Sequence, residues 1–196
     1  MVDFIDVYDD SLDHNVCKDM IERFELMCDL KNPGILHNHT DTYDGFRKDT
    51  QINALKHGSL DWLTSQIKDS LRLSWSIYQK KYWPDITYEK DVERIPFDRV
   101  FYPDIKIQKS EPGGGYCSWH CEQGKADATR FAVWMIYLND VPEGGATEFW
   151  LQNKSVQPKM GTTVIWPAGY SHFHRSAPDL KSDKYIATGW FVYESK

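Results

Sequence analysis

His120 and Glu122, separated by one residue, carry side chains that could hold a metal ion. Further along the chain, His172 and His174 have the same spacing and offer two more ligands. Alternate side chains of a β-strand lie on one face, so each pair can point toward the same ion. Two imidazoles and one carboxylate on one face of a metal leave positions open for other ligands, which suits Fe(II). The residues alone leave open which of the two later histidines completes the set.

Cysteines close to these residues allow a second interpretation, a zinc site. Cys117 and Cys121 lie on either side of the first histidine and could surround an ion together with His172. Structural zinc sites favour tight Cys-x-x-Cys pairs, which this pair does not form, so zinc is the weaker interpretation. The four cysteines of the chain are also too few and too irregularly spaced for a disulfide framework. Reduced thiols are typical of the cytosol, where iron stays ferrous, and the sequence predicts a cytoplasmic protein.

The composition narrows the class of protein. A chain of 196 residues with 41% hydrophobic and 27% charged residues can bury one sizeable core, and we expect a single folded domain. Apolar stretches such as Ala132 to Leu138 fall far short of the roughly 20 residues of a membrane helix. The segment Met1 to Asp10 lacks the basic start and apolar middle of a secretory signal. A net charge of -6 with scattered basic residues argues against a nucleic-acid partner, and we expect neither nucleic acid nor membrane binding.

Two helices are expected in the first half of the chain. In the segment Ser11 to Leu30, apolar residues recur with helical spacing, and Ser11 or Asp13 could cap the first turn. The stretch Lys31 to Thr50 breaks this pattern and predicts a long loop that could serve as a lid and hold part of the substrate. A second helix should run from about Leu60 to Lys81. Its apolar stripe consists of Leu63, Ile67, Leu71 and Trp75.

From Val92 onward, helical spacing gives way to short alternating runs separated by turns rich in Gly or Pro. The runs include Arg99 to Gln108, Arg130 to Leu138 and Lys184 to Tyr193. This pattern is typical of a β-sandwich or barrel, against which the two helices should pack.

A series of motifs runs through this second half. They are the segments Gln108 to Tyr116, Tyr137 to Val141, Glu143 to Phe149 and Pro158 to Gly161, then His174, Pro178, Lys184, Thr188 and Trp190. Together with the His-x-Glu pair they resemble the 2-oxoglutarate oxygenases of the prolyl 4-hydroxylase branch, especially small bacterial and phage-type members. The resemblance covers about half the chain.

The resemblance implies a complete set of metal ligands. In this family the distal histidine precedes a basic anchor by ten residues, which selects His174 because Lys184 follows at that spacing. Pro178 also falls where the family keeps a proline. Fe(II) is therefore expected to be held by His120, Glu122 and His174.

The same resemblance implies how the co-substrate is held. Lys184 and Thr188, four residues apart on a terminal strand, would clamp the distal carboxylate of 2-oxoglutarate, and Tyr137 would donate its hydroxyl to that carboxylate. A lysine in this role is typical of collagen-type prolyl hydroxylases, which favours proline as the substrate. Two residues depart from the common pattern: Glu122 stands where most members have Asp, and Ser110 sits near a position where many have Tyr.

The resemblance also implies a fold and a reaction. We expect a mainly β protein with flanking helices, a double-stranded β-helix or cupin-like jelly roll, in which residues 1–90 form the helical support and loop and residues 91–196 the catalytic core. The expected reaction hydroxylates an unactivated C–H bond of a prolyl residue in a peptide or protein. Fe(II), 2-oxoglutarate and dioxygen would be required, with ascorbate as reductant. The alternatives are a hydroxylase of a free amino acid or another side chain, and a jelly-roll binding module without turnover.

Overall fold

Two α-helices form where the apolar spacing predicts them. The structure is a computed structural model that describes residues 2–27, 31–33, 47–82, 100–124 and 127–193. Helix α1 spans His14–Leu26, and the carboxylate of Asp13 caps it by accepting a hydrogen bond from the backbone N–H of Asn15 at 2.7 Å. Helix α2 spans Asp61–Tyr82, and all four residues of its predicted stripe are buried. Within the described ranges, no helix combines the length and apolarity needed to cross a membrane.

The rest of the described chain is mainly short strands. They are β1 (Asp6–Tyr8), β2 (Asn32–Pro33), β3 (Arg47–Lys48), β4 (Thr50–Asn53), β5 (Val100–Phe101), β6 (Lys106–Ser110), β7 (Gly115–Tyr116), β8 (Arg130–Tyr137), β9 (Thr147–Phe149), β10 (Lys154–Val156), β11 (Thr163–Pro167), β12 (His174–Ser176) and β13 (Lys184–Tyr193). The largest sheet has the order β1-β11-β8-β13-β6-β4-β2, with β5 also paired to β13. A second sheet has the order β10-β9-β12, and β3 pairs with β7.

The alternation of side chains along β8 divides the interior into two cores. Trp134 and Ile136 point outward and pack with buried residues of α1 and α2. Val133 and Tyr137 point the other way and pack with Phe149 of the second sheet. The helices therefore cover the outer face of the large sheet, while the inner face meets the small sheet. This arrangement of antiparallel sheets with flanking helices is the jelly roll that the sequence predicts.

Three segments differ in detail from the secondary structure that the sequence predicts for them. The run Arg99 to Gln108 does not form one strand, because β5 and β6 are separate, and Arg99 lies outside the described residues. The loop predicted over Lys31 to Thr50 has short strands at both ends, β2 and β3, and its middle, 34–46, lies outside the described residues. The segment from His120 to Glu122 is not a regular strand: His120 forms a single bridge with β12, and Glu122 lies in a bend.

Candidate metal centre and its cavity

His120, Glu122 and His174 converge at one end of the space between the sheets. His120 and His174 pair through two backbone hydrogen bonds, of 3.0 and 2.9 Å. Their Nε2 atoms lie 3.3 and 3.6 Å from Oε1 of Glu122, respectively. One ligand atom from each of the three residues lies within 4.8 Å of the others, and no second such group of metal-binding side chains occurs among the described residues. A single divalent ion could therefore contact all three.

Backbone carbonyls orient both imidazole rings. Nδ1 of His120 lies 2.8 Å from the carbonyl oxygen of Ser118, and Nδ1 of His174 lies 3.0 Å from that of His172. A carbonyl only accepts, so each Nδ1 carries a proton, and Nε2 is the ring atom that faces the carboxylate. Nε2 is thus the atom that each ring offers to a metal ion.

Burial and mutual contact set the charge state of the group. Burial, together with the neighbouring His174, lowers the pKa of the His120 imidazole, which favours the neutral ring. Burial alone would raise the pKa of Glu122, but hydrogen bonds and charge interactions with the two imidazoles outweigh it and hold that pKa well below its ordinary value. A neutral imidazole and an ionised carboxylate are the forms that bind a metal cation.

The second carboxylate oxygen of Glu122 faces away from the imidazoles and has its own partners. The indole N–H of Trp190 donates to Oε2 at 3.0 Å, and a guanidinium nitrogen of Arg130 lies 3.6 Å from the same atom. Arg130 also donates to the backbone carbonyl of Glu122 at 3.3 Å and stacks 3.6 Å from the centroid of the Trp190 ring. The sequence leaves the role of Arg130 open and favours a core position for Trp190. The structure places both against the carboxylate.

His172 lies apart from the three converging residues. It is buried, with Nε2 2.9 Å from the carbonyl oxygen of Asp3 and Nδ1 2.9 Å from the hydroxyl of Ser171. Both ring nitrogens are thus engaged within the protein. Cys117 and Cys121 are free and partly exposed, and together with His172 they do not form a metal-binding group among the described residues. The zinc interpretation gains no support from this geometry.

Lys184 is buried and lines a cavity that is also lined by the candidate metal ligands. Its ammonium donates to the carbonyl oxygen of Gly145 and lies 3.5 Å from the hydroxyl of Ser176. Burial lowers the pKa of this ammonium to about 8. No carboxylate of the described residues forms an ion pair with it, so the cavity presents a buried cation without an anionic partner.

The other two predicted co-substrate residues differ in position. Thr188 lines the cavity, although its hydroxyl donates to the carbonyl oxygen of Trp134 at 2.9 Å. Tyr137 is buried behind the wall, where its hydroxyl lies 2.7 Å from that of Thr147, which does line the cavity. Tyr137 therefore reaches the cavity through Thr147 in this structure. Ser110 also lines the cavity.

Tyr116 and Lys106 are among the cavity residues to which the sequence assigned no role. Tyr116 stacks on His120, with ring centroids 3.7 Å apart and planes at 13°. Lys106, at the start of β6, also lines the cavity. A lysine that opens an alternating run is typical of an exposed strand end, and only the register of β6 against β13 shows that it faces inward.

Comparisons with known proteins agree with this geometry. Residues 105–192 match the 2OG-Fe(II) oxygenase superfamily. Prolyl 4-hydroxylase subunit alpha-1 of Gallus gallus is 35% identical over 94 residues, which cover 39% of this chain and 18% of that protein. The chain therefore spans less than a fifth of the length of this curated relative.

Two solved structures resemble almost the whole chain. The viral collagen prolyl hydroxylase of Paramecium Bursaria Chlorella virus-1, in its 2OG complex, has a TM-score of 0.69 at 17% identity and covers 97% of both chains. The prolyl hydroxylase of Trichoplax adhaerens, in complex with a hypoxia inducible factor oxygen degradation domain peptide fragment, has a TM-score of 0.75 at 13% identity, over 98% of this chain and 84% of that one. At these identities the likeness shows the fold. The resemblance that the sequence motifs predict is confirmed.

Proposed function

We propose that this chain, whose residues 105–192 match the 2OG-Fe(II) oxygenase superfamily, is an Fe(II)- and 2-oxoglutarate-dependent dioxygenase that hydroxylates a prolyl residue in a peptide or protein. One observation carries the proposal: two imidazoles and a carboxylate converge in a cavity that is also lined by a buried lysine, and no carboxylate of the described residues pairs with that lysine. The two imidazoles and the carboxylate suit an iron ion, and the buried lysine suits one carboxylate of an organic diacid.

His120, Glu122 and His174 are proposed to hold the iron. The donor set fits, because both rings direct Nε2 at the carboxylate and the carboxylate is ionised. The indole of Trp190 and the guanidinium of Arg130 occupy the outer oxygen of Glu122, which leaves its inner oxygen for the metal. When bound, iron and 2-oxoglutarate would supply the oxidising power that inserts one atom of dioxygen into a C–H bond while 2-oxoglutarate becomes succinate and carbon dioxide.

Lys184 is proposed to pair with the distal carboxylate of 2-oxoglutarate. A carboxylate bound in this cavity would contact the ammonium of Lys184. Thr188 lies on the same face of β13 and also lines the cavity. Tyr137 would act on this carboxylate indirectly, because its hydroxyl donates to the hydroxyl of Thr147, which lines the cavity. These groups orient the co-substrate and exclude water from its charged end, and neither task requires a proton to move.

The proposed substrate class is inferred from the proteins that this chain resembles. The curated relative is a prolyl 4-hydroxylase subunit, and one structural neighbour was solved with a peptide fragment. The anchor is a lysine, as in the collagen-type enzymes that the motifs resemble. We also propose a cytoplasmic location, with ascorbate as the reductant that keeps the iron ferrous. The free thiols of Cys17, Cys117 and Cys121 are compatible with a reducing compartment.

The test is an incubation of purified protein with Fe(II), ascorbate and 2-oxoglutarate, carried out without substrate, with a panel of proline peptides, and with free proline. We expect succinate to increase with peptide and the peptide to gain about 16 Da, the mass of one inserted oxygen. Omitting ascorbate should lower the yield over repeated turnovers. Succinate with free proline alone would assign the activity to an amino-acid hydroxylase. Absence of both succinate and a visible iron–2-oxoglutarate chelate would leave only the binding module.

A further inference from the structure

Lys106 faces a second, outer part of the site. Along β6, Lys106, Gln108 and Ser110 alternate into the cavity, while Ile107 between them is buried in the core beneath the helices. Lys106 also lines an adjoining outer cavity with Glu122 and other residues around the candidate metal ligands, which Lys184 does not reach. It therefore lines both the cavity of the metal-binding group and the outer cavity that adjoins it.

The ammonium of Lys106 has no anionic partner among the described residues. Its Nζ lies 4.5 Å from the centroid of the Trp190 ring, and it forms neither a hydrogen bond nor an ion pair there. The neighbouring cations are different: Arg47 pairs with Asp49 at 2.7 Å, and Arg130 pairs with Asp127 at 2.9 Å. Of the three cations that line this outer cavity, Lys106 is thus the one that pairs with no carboxylate in the part of the chain that the structure describes.

The position of Lys106 is unfavourable without a ligand. The side chain is half-buried, and burial, with added repulsion from Arg47 and Arg130, lowers the pKa of its ammonium, although Asp104 and Glu122 act in the opposite direction. A partly desolvated charge without a partner destabilises a fold, and an incoming anion removes that penalty. Contact with an indole face offsets only part of it.

We propose that Lys106 binds a carboxylate of the substrate, so that the preferred substrate carries an acidic group close to the proline that is hydroxylated. This inference rests on the proposed function and narrows its substrate class. The carboxylate can come from an aspartate or glutamate near the proline in a peptide, or from the α-carboxylate of free proline. The proposed function assigns the distal carboxylate of the co-substrate to Lys184, which lines the first cavity but not the outer one, so the co-substrate is not the proposed source.

The experiment compares matched acidic and neutral probes. One arm uses capped glycine peptides with a single proline and Asp, Asn or Lys at each neighbouring position, and the other arm uses L-proline and L-prolinamide. Binding is measured by calorimetry, both to protein loaded anaerobically with Fe(II) and 2-oxoglutarate and to metal-free protein. The variants are Lys106→Met and Lys106→Glu. Lys109→Met is the matched control, since Lys109 is on the same strand but pairs outside the cavity with Asp183 at 3.0 Å.

We expect at least one acidic probe to bind roughly tenfold more tightly than its amide twin, the size of a charge-assisted hydrogen bond. Lys109→Met should keep this preference, Lys106→Met should abolish it, and Lys106→Glu should favour a lysine-bearing peptide. The arm in which the preference appears identifies the source of the carboxylate. Thermal unfolding of each variant checks that it is folded.

Three outcomes overturn the inference: no acidic preference in the parent, a preference that survives Lys106→Met, or a Lys106→Met variant that weakens 2-oxoglutarate binding instead. Failure of the proposed function looks different. It shows as loss of peptide-dependent succinate and of the iron–2-oxoglutarate chelate in the parent protein, whatever the acidic preference of the probes.

Discussion

At the scale of single residues, the two late histidines differ in what their ring nitrogens contact. Nε2 of His174 points to Glu122, whereas both nitrogens of His172 bind the protein itself. We predict that His174→Ala abolishes Fe(II) binding and turnover, while His172→Ala keeps measurable amounts of both. Anaerobic Fe(II) titration and succinate formation measure the two variants. The reverse ranking would mean that His172 is the ligand.

Glu122 is the anionic member of the candidate ligand set. We predict that Glu122→Gln weakens Fe(II) binding by roughly a hundredfold or more, because the amide keeps the shape but removes the charge that a hard divalent ion requires. Glu148→Gln is the control, since Glu148 also pairs with a cation, Arg175 at 2.8 Å, but lies outside the ligand set. Equal Fe(II) affinity in both variants and the parent would assign the carboxylate ligand elsewhere.

We predict that replacing Lys184 weakens the binding of 2-oxoglutarate and leaves the binding of Fe(II) unchanged. Truncating one partner of a buried ion pair costs about 3–5 kcal/mol, so Lys184→Ala should raise the 2-oxoglutarate requirement by roughly a hundredfold to a few thousandfold. The visible absorption of the iron–2-oxoglutarate chelate, titrated anaerobically, measures this. Lys181→Ala, at an exposed lysine nearby, should change nothing. A midpoint shift of less than about threefold in Lys184→Ala would place the anchor elsewhere.

At the scale of elements, the long regular pieces were predictable and the short irregular ones were not. Helix α2 and strands β8 and β13 bury one face or both, so their apolar periodicity is visible in the sequence. The segment carrying His120 and Glu122 is held by a single bridge and by the carbonyl of Ala168, which accepts from the N–H of Glu122 at 3.0 Å. Such tertiary contacts leave no periodic signal. The inward direction of Lys106 depends on sheet register in the same way.

Strand β13 positions several cavity residues at once, and Gly189 allows it to approach β8 closely. A Cβ atom at Gly189 would lie 2.5 Å from a ring carbon of Trp134 and 2.7 Å from the carbonyl oxygen of Asp104. We predict that Gly189→Ala destabilises the protein by about 1–3 kcal/mol, the usual cost of overpacking, and weakens 2-oxoglutarate binding because Thr188 moves with the strand.

Urea unfolding and the chelate titration measure the two effects of Gly189→Ala. Gly124→Ala is the matched control, since a Cβ there meets nothing within 4 Å, and its stability should stay within about 0.5 kcal/mol of the parent. Equal urea midpoints for the two variants would show that β13 and β8 separate at little cost.

At the scale of the whole molecule, the fold holds polar and charged groups between the two sheets, and burying these groups lowers the stability of the protein. The helices cover the outer face of the large sheet, so its inner face can carry polar groups beside the second core. Lys184 and the candidate ligands sit where the two sheets meet, in surroundings that disfavour an unpaired charge. The ligand-free protein should therefore be less stable than its packing alone allows, and binding of an anion should recover the difference.

The pH dependence of unfolding tests whether the buried ammonium of Lys184 destabilises the ligand-free protein. The pKa of Lys184 falls from 10.5 in the unfolded chain to about 8 in the fold, so between these values the unfolded state binds more protons and stability rises with pH. Lys184→Met lacks this contribution. Relative to Lys184→Met, the ligand-free parent should gain about 1.4 kcal/mol between pH 7 and pH 9, because the difference in bound protons over this range integrates to about one pH unit and each unit represents roughly 1.4 kcal/mol. Comparing the two proteins cancels the titration of all other groups.

Saturating 2-oxoglutarate should remove that gain, because a carboxylate beside the ammonium raises its pKa again and keeps it charged across this range. By the same linkage, the affinity of the iron-loaded protein for 2-oxoglutarate should fall as the pH rises above about 8, where the free lysine loses its proton. Chemical unfolding at fixed ionic strength, with and without the co-substrate, measures the first effect, and chelate titration the second. A parent and a Lys184→Met variant whose stabilities change in parallel from pH 7 to pH 9 would contradict a buried, uncompensated ammonium at this position.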